Sequence, residues 1–110
     1  MNKYAVEFSQ RANAQIRGIF SYIAEQNADV ALKMVDTLEA RARRLEDTPF
    51  IGVELREHEY PFLQPGYRRL FVKPFVIYYR IVDQTVYITH IIHVKRDQAK
   101  ALGELKSGCP

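Results

Sequence analysis

The chain has 110 residues, of which 47% are hydrophobic and 26% charged, with five Gly, five Pro and one Cys, a composition that fits a single domain over 1–110 and leaves no room for a second. Sixteen Lys and Arg against thirteen Asp and Glu give a net charge of +3, too small by itself to demand a polyanionic partner. Apolar runs of only a handful of residues exclude a transmembrane helix, an N-terminus without an apolar signal core predicts a cytoplasmic protein, and the solitary Cys109 excludes an internal disulfide or a thiolate metal cage.

Lys3 to Phe8 alternates, with Tyr4, Val6 and Phe8 on one side, and this period predicts a half-buried strand. Ser9 is placed to cap a helix whose stripe is Ala12, Ile16, Ile19, Phe20 and Ile23, running to about Gln26. Asn27 and Asp29 are caps for a second helix with the stripe Ala31, Met34, Val35, Leu38, Ala42 and Leu45, which Pro49 stops. Together the two make an antiparallel hairpin whose apolar seam needs one more surface. From Pro49 to Gly66, five Pro and Gly residues predict a long ordered loop. Three strands follow, Tyr67–Val72, Phe75–Val82 and Thr85–Val94, separated by Lys73-Pro74 and Asp83-Gln84 and therefore antiparallel. Residues 97–110 form a short helix or a flexible tail. The expected fold is α+β in the order β-α-α-β-β-β, a helical hairpin on one face of an antiparallel sheet.

Charge is unevenly distributed. Glu46 to Glu59 is acidic, whereas Tyr67 to Lys100 holds Arg68, Arg69, Lys73, Arg80, Lys95, Arg96 and Lys100 against Asp83 and Asp97. Two-residue turns put Leu70, Val72, Phe75, Ile77, Tyr79, Ile81, Val86, Ile88 and Ile92 on the helix side. They put Tyr67, Arg69, Tyr78, Arg80, Tyr87, Thr89 and His93 on the reverse, with Arg80 opposite both Tyr67 and Tyr87. Cations interleaved with aromatics suit phosphates and bases, and equally an acidic protein segment; they also make an ordinary cross-strand ladder that covers a sheet.

Arg68 falls on the helix side, where its charge needs a carboxylate or carbonyl oxygens, so its expected role is a structural clamp. His90 and His93 are three apart on a strand and point to opposite faces, so they cannot share a metal ion. His90 reads as a hydrogen-bonded core or edge residue, His93 as the one available for acid–base work, and His58, between Glu57 and Glu59, as a solvated loop histidine. No nucleophile triad, glycine-rich phosphate loop or carboxylate pair stands out, and no cofactor or metal is expected.

The order of elements, the segment Pro65-Gly66-Tyr67-Arg68-Arg69-Leu70, the strand Phe75-Val76-Ile77-Tyr78-Tyr79-Arg80-Ile81 and the ending Ile91-Ile92-His93-Val94-Lys95-Arg96 resemble the RelE/ParE superfamily of bacterial type II toxins. The likeness runs from Tyr4 to about Leu102. It implies a cognate antitoxin that wraps and neutralises the toxin. RelE-like members cut mRNA on the ribosome with basic residues and a late tyrosine, while ParE-like members poison DNA gyrase. Here the RelE-like strand arginine falls at Val76 and the late tyrosine near Leu102, neither fit for that chemistry. Arg96 keeps one basic position, flanked by Lys95. Gly66-Tyr67-Arg68-Arg69, Val76-Ile77-Tyr78-Tyr79-Arg80 and the long hairpin are closer to ParE-like chains. The resemblance therefore implies a gyrase poison active in growth arrest and plasmid stabilisation, with Tyr67, Arg69, Tyr78, Arg80, Tyr87, His93 and Arg96 facing a target or the antitoxin. The alternatives are an mRNA endonuclease using Arg80, His93, Lys95 and Arg96, and a non-toxic peptide-binding module of the same fold.

Overall fold

The computed structural model describes residues 3–56, 63 and 65–108, the last five by their backbone only, so His58 and Cys109 lie outside it. The elements are β1 (Ala5–Phe8), α1 (Gln10–Ala24), α2 (Ala28–Arg43), a 3-10 turn (Arg44–Glu46), β2 (Val53–Glu54), β3 (Tyr67–Val72), β4 (Phe75–Val82), β5 (Thr85–His93) and α3 (Gln98–Gly108). Among the described residues no helix is long and apolar enough to cross a membrane.

Both hairpin helices start where a short polar side chain can serve the first-turn N–H groups. Ser9 Oγ accepts from the N–H of Ala12 at 3.0 Å, and Asn27 Oδ1 accepts from the N–H of Val30 at 3.1 Å. The α2 helix tightens into the 3-10 turn before it reaches Thr48, so it ends earlier than Pro49 alone would require.

The sheet order is β1-β5-β4-β3-β2. The hairpin is the crossover that lays β1 parallel to β5, and all other neighbours are antiparallel. Stripe residues Ala12, Ile16, Leu38, Ala42 and Leu45 pack on Val72, Ile77, Tyr79, Val86, Ile88 and Ile91, the main core. Arg43 of α2 pins β1 to this layer, donating to the carbonyl of Val6 at 3.2 Å with its guanidinium 5.4 Å from the centre of the Phe8 ring.

The structure adds a strand to the expected loop, shows the helical form of the tail and corrects one register. The loop after Pro49 contains β2, which pairs Val53 with Arg69 and Glu54 with Arg68 and makes the sheet five-stranded. The tail forms α3, whose Ala101 and Leu102 pack on Val76, Tyr78 and Ile92 with Leu55 and Leu63 alongside. The reverse face is therefore covered in part by the chain itself. Finally, β4 and β5 hold the expected register from Val82–Thr85 to Tyr79–Ile88 and then slip by one residue, so that Tyr78 faces His90 and Phe75 faces His93. Thr89 is the extra residue of a β-bulge. Uninterrupted alternation would drive the His90 imidazole into the apolar layer under the helices; the bulge turns it to the reverse face and brings Ile91 into the core instead.

Candidate functional site

The reverse face of β3, β4 and β5 carries the basic and aromatic side chains that alternation places there. Arg80 stands between Tyr67 and Tyr87 across the strands. Its Nε donates to the carbonyl of Pro65 at 3.0 Å, which ties the row to the turn where Gly66, at φ +94°, reverses the chain into β3. Tyr87 is 39% exposed, the most open member of the row. Arg69, between Val53 and Tyr78, lies with its guanidinium 5.5 Å from the Phe71 ring centre, and its buried Nε has no hydrogen-bond partner among the described residues.

Tyr78 departs from the expected contact surface. It is 1% exposed under α3, and its hydroxyl donates to Gln98 Oε1 at 2.8 Å. The same carboxamide donates from Nε2 to the carbonyls of His93 and Arg96 at 2.8 and 2.9 Å. Gln98 thus seats the start of α3, with Asp97 Oδ1 accepting from the N–H of Lys100 at 3.1 Å as its cap. Tyr78 supports the surface from below and does not present itself on it. Gln98 has no mark of its own in the sequence; the Asp97 cap directly after the cationic pair Lys95-Arg96 is the signal that α3 begins there.

Arg68 takes the clamp position on the helix side. One guanidinium nitrogen donates to the carbonyls of Phe50 and Gly52 at 3.2 and 2.7 Å, and the group lies 5.1 Å from the Phe50 ring centre. Carbonyl oxygens and an aromatic face meet its charge, which fixes the segment leading into β2 against β3.

The slip at Thr89 exchanges the two histidines. His93, expected on the reverse, lies on the helix side opposite Phe75, edge-on to that ring at 5.3 Å, and its Nδ1 accepts from the N–H of Lys95 at 3.1 Å. It borders a cavity between α1 and the end of the sheet that Phe75, Ile91 and Arg96 also line. His90 is fully buried on the reverse between the rings of Tyr67 and Tyr78, with Thr89 Oγ1 at 2.7 Å from its Nδ1. Burial, and secondarily the charge of Arg11, pull its pKa down to about 4, so it is neutral near pH 7.

The four residues named for a nuclease do not converge. Arg80 pairs with Tyr87 towards one end of the β4–β5 ladder, and His93 pairs with Phe75 at the other. Arg80 lies five positions along β4 from Phe75, roughly 17 Å of rise, and His93 is on the opposite face. Lys95 and Arg96 follow His93 in an exposed turn. No single phosphate can touch Arg80 and His93 together.

A family model described as the ParE toxin of the type II toxin–antitoxin system parDE matches residues 6–98. No match was found among curated proteins. Among solved structures, the chain is similar to one from a chromosomal ParDE toxin–antitoxin system of P. aeruginosa, at 21% identity and a TM-score of 0.66 over 83% of this chain and 96% of that one. It is also similar to a chain of the RelBE2 toxin–antitoxin complex of Mycobacterium tuberculosis, at 20% identity and a TM-score of 0.54 over 84% of this chain and 93% of the other. At these identities the two structures speak for the shared fold.

Proposed function

This chain belongs to the ParE toxin family of type II toxin–antitoxin systems, and from that premise we propose that it arrests growth by binding DNA gyrase as a poison, performs no chemistry of its own, and is neutralised in the cytoplasm by a cognate antitoxin. The observation that carries this reading over mRNA cleavage is the separation of Arg80 from His93 at opposite ends and faces of the β4–β5 ladder, since an endonuclease must bring its acid, base and phosphate ligands to one scissile bond. A binding poison needs only complementary surfaces. The row Tyr67, Arg80 and Tyr87, with Arg69 beside it and Arg96 at the far end, offers the antitoxin or target cations and aromatic faces, and contacts through it weaken as salt rises.

Induced expression with and without the neighbouring antitoxin gene tests the proposal, scored for DNA-damage response and for mRNA cleavage. Growth arrest with a DNA-damage response, relieved by the antitoxin, is the expected result; purified protein then inhibits gyrase supercoiling in vitro. Codon-positioned mRNA breaks lost in Arg96→Ala would move the protein to the endonuclease reading. Normal growth with retained antitoxin binding would make it a non-toxic peptide-binding module.

A further inference from the structure

Arg69 is a half-buried cation that the chain leaves uncompensated. Its Nε is enclosed without a hydrogen-bond partner, and among the described residues no carboxylate is paired with the guanidinium; what meets the charge is the Phe71 ring, 5.5 Å away. A polar atom taken out of water with no partner costs stability, and a charge without a counter-charge costs more. Arg68, one residue earlier, shows how this fold satisfies a guanidinium that has a structural role, with two backbone carbonyls and the Phe50 ring.

The surroundings of Arg69 are those of a docking edge. Val53 and Phe71, 55% and 50% exposed, flank it on the reverse face. The N–H of Leu55 donates to the carbonyl of Tyr67 at 2.9 Å, so Tyr67, Arg69 and Phe71 turn their backbone groups towards the β2 side of β3. Leu55 and Val53 serve the first two, and then the chain turns away: Gly52 donates its N–H to the Tyr79 hydroxyl, and its carbonyl accepts from Arg68. The N–H and C=O of Phe71 therefore have no strand partner on that side among the described residues. A segment that takes up this ladder step sets one side chain beside Phe71 on the reverse face, within diagonal reach of Arg69.

One cation between two exposed apolar side chains selects a single carboxylate in an otherwise apolar stretch. A nucleic-acid backbone would need a row of cations, and Arg80, the diagonal neighbour of Arg69, is held at Nε by the carbonyl of Pro65. Two copies of this chain paired antiparallel about Phe71 would set Arg69 against Lys73 of the second copy, like charges in register. The opening is one step long, between the end of β2 and the Lys73-Pro74 turn, which a single extended chain enters and the surface of a folded enzyme does not. We propose that it takes an extended segment of the cognate antitoxin, with a glutamate of that segment as the counter-ion of Arg69 and its apolar neighbours on Val53 and Phe71. The inference rests on the antitoxin half of the function proposed above and is independent of the gyrase half. The partner satisfies a charge that the free chain does not.

Calorimetric titration of the full chain with the antitoxin encoded beside it tests this, with thermal melts of the free chain alongside. Arg69→Met replaces an uncompensated cation by an apolar side chain, so the melting temperature of the free chain should stay or rise. Antitoxin binding should weaken by about 10- to 100-fold. Phe71→Ser, which spares the charge, should weaken binding by about 10-fold. Each antitoxin glutamate is then changed to Gln in turn; at one of them the loss combined with Arg69→Met should not exceed the larger single loss. A melting temperature of Arg69→Met that falls in step with affinity makes the arginine structural and overturns the proposal. So do equal antitoxin affinities of the natural and Arg69→Met chains, loss of gyrase inhibition in that variant with antitoxin affinity kept, or a dimer of the free chain in sedimentation that Phe71→Ser dissolves. An antitoxin that does not bind even the natural chain removes the antitoxin reading itself, and this site with it.

Discussion

The phenol of Tyr79 reaches through the core to Gly52, whose N–H donates to its oxygen at 2.9 Å while the hydroxyl donates to the carbonyl of Pro49, also at 2.9 Å. Tyr79 is completely buried, and burial pushes its pKa up, against the opposing pull of the Gly52 bond and the charge of Arg68. The phenol is therefore a neutral bridge between β4 and the segment that leads to β2. Tyr79→Phe leaves a buried donor and a buried acceptor unpaired and should cost about 1–3 kcal/mol in urea denaturation. Gly52→Ala should also destabilise, since its Cβ would sit 2.5 Å from the Tyr79 hydroxyl and 2.8 Å from the carbonyl oxygen of Arg69. Because the two substitutions share one contact, their combined cost should fall short of the sum.

His90 sets a pH dependence. Arg11 of α1, Tyr67 of β3 and Tyr78 of β4 are the ionisable groups placed against it. Its folded-state pKa of about 4 lies below the ordinary 6.5, so the unfolded chain binds the extra proton between those values. Stability contributed by the neutral imidazole is complete above about pH 6.5 and is lost as pH falls towards 4, by about 3 kcal/mol in total. Thermal melts across that window should show the decline, and His90→Gln should flatten it. A natural chain whose melting temperature does not move between pH 7 and pH 4.5 would refute the assignment.

Arg68 should not tolerate lysine. An ammonium cannot both lie flat on Phe50 and reach the carbonyls of Phe50 and Gly52 as the guanidinium does. For Arg68→Lys we expect faster hydrogen exchange over 49–55, with β4 and β5 unchanged and a loss of about 1 kcal/mol.

Leu102 holds α3 to the sheet. It is fully buried against Val76, Tyr78 and Ile92 in a cluster separate from the main core. Leu102→Ala should cost about 2 kcal/mol, the low end for such truncations, and deletion of 97–110 should expose Val76, Tyr78 and Ile92 together and raise dye binding or aggregation in light scattering.

Period and punctuation in the chain foretell the hairpin helices, their Ser9 and Asn27 caps, and the β3–β4 register, because each depends on neighbours within a few residues. Elements that exist only through distant contacts leave weaker traces. Val53–Glu54 is too short to show alternation, and the docking of α3 through Ala101 and Leu102 is decided by a patch of Val76, Tyr78 and Ile92 that only the assembled sheet creates. The bulge had a readable cause in hindsight: unbroken alternation sends His90 into the apolar layer. Alternation carried unbroken past Thr89 puts His93 on the reverse face with Arg80, whereas the bulge puts it on the helix side.

The parallel pairing of β1 with β5 joins the first and the last strand among the described residues. During synthesis, Ala5–Phe8 has no neighbouring strand to pair with until Thr85–Ile88 has left the exit tunnel. A nascent or prematurely terminated polypeptide can form its helices, but it cannot close the sheet beneath them. The sheet face that carries Tyr67, Arg80 and Tyr87 is thus completed only after β5 has emerged.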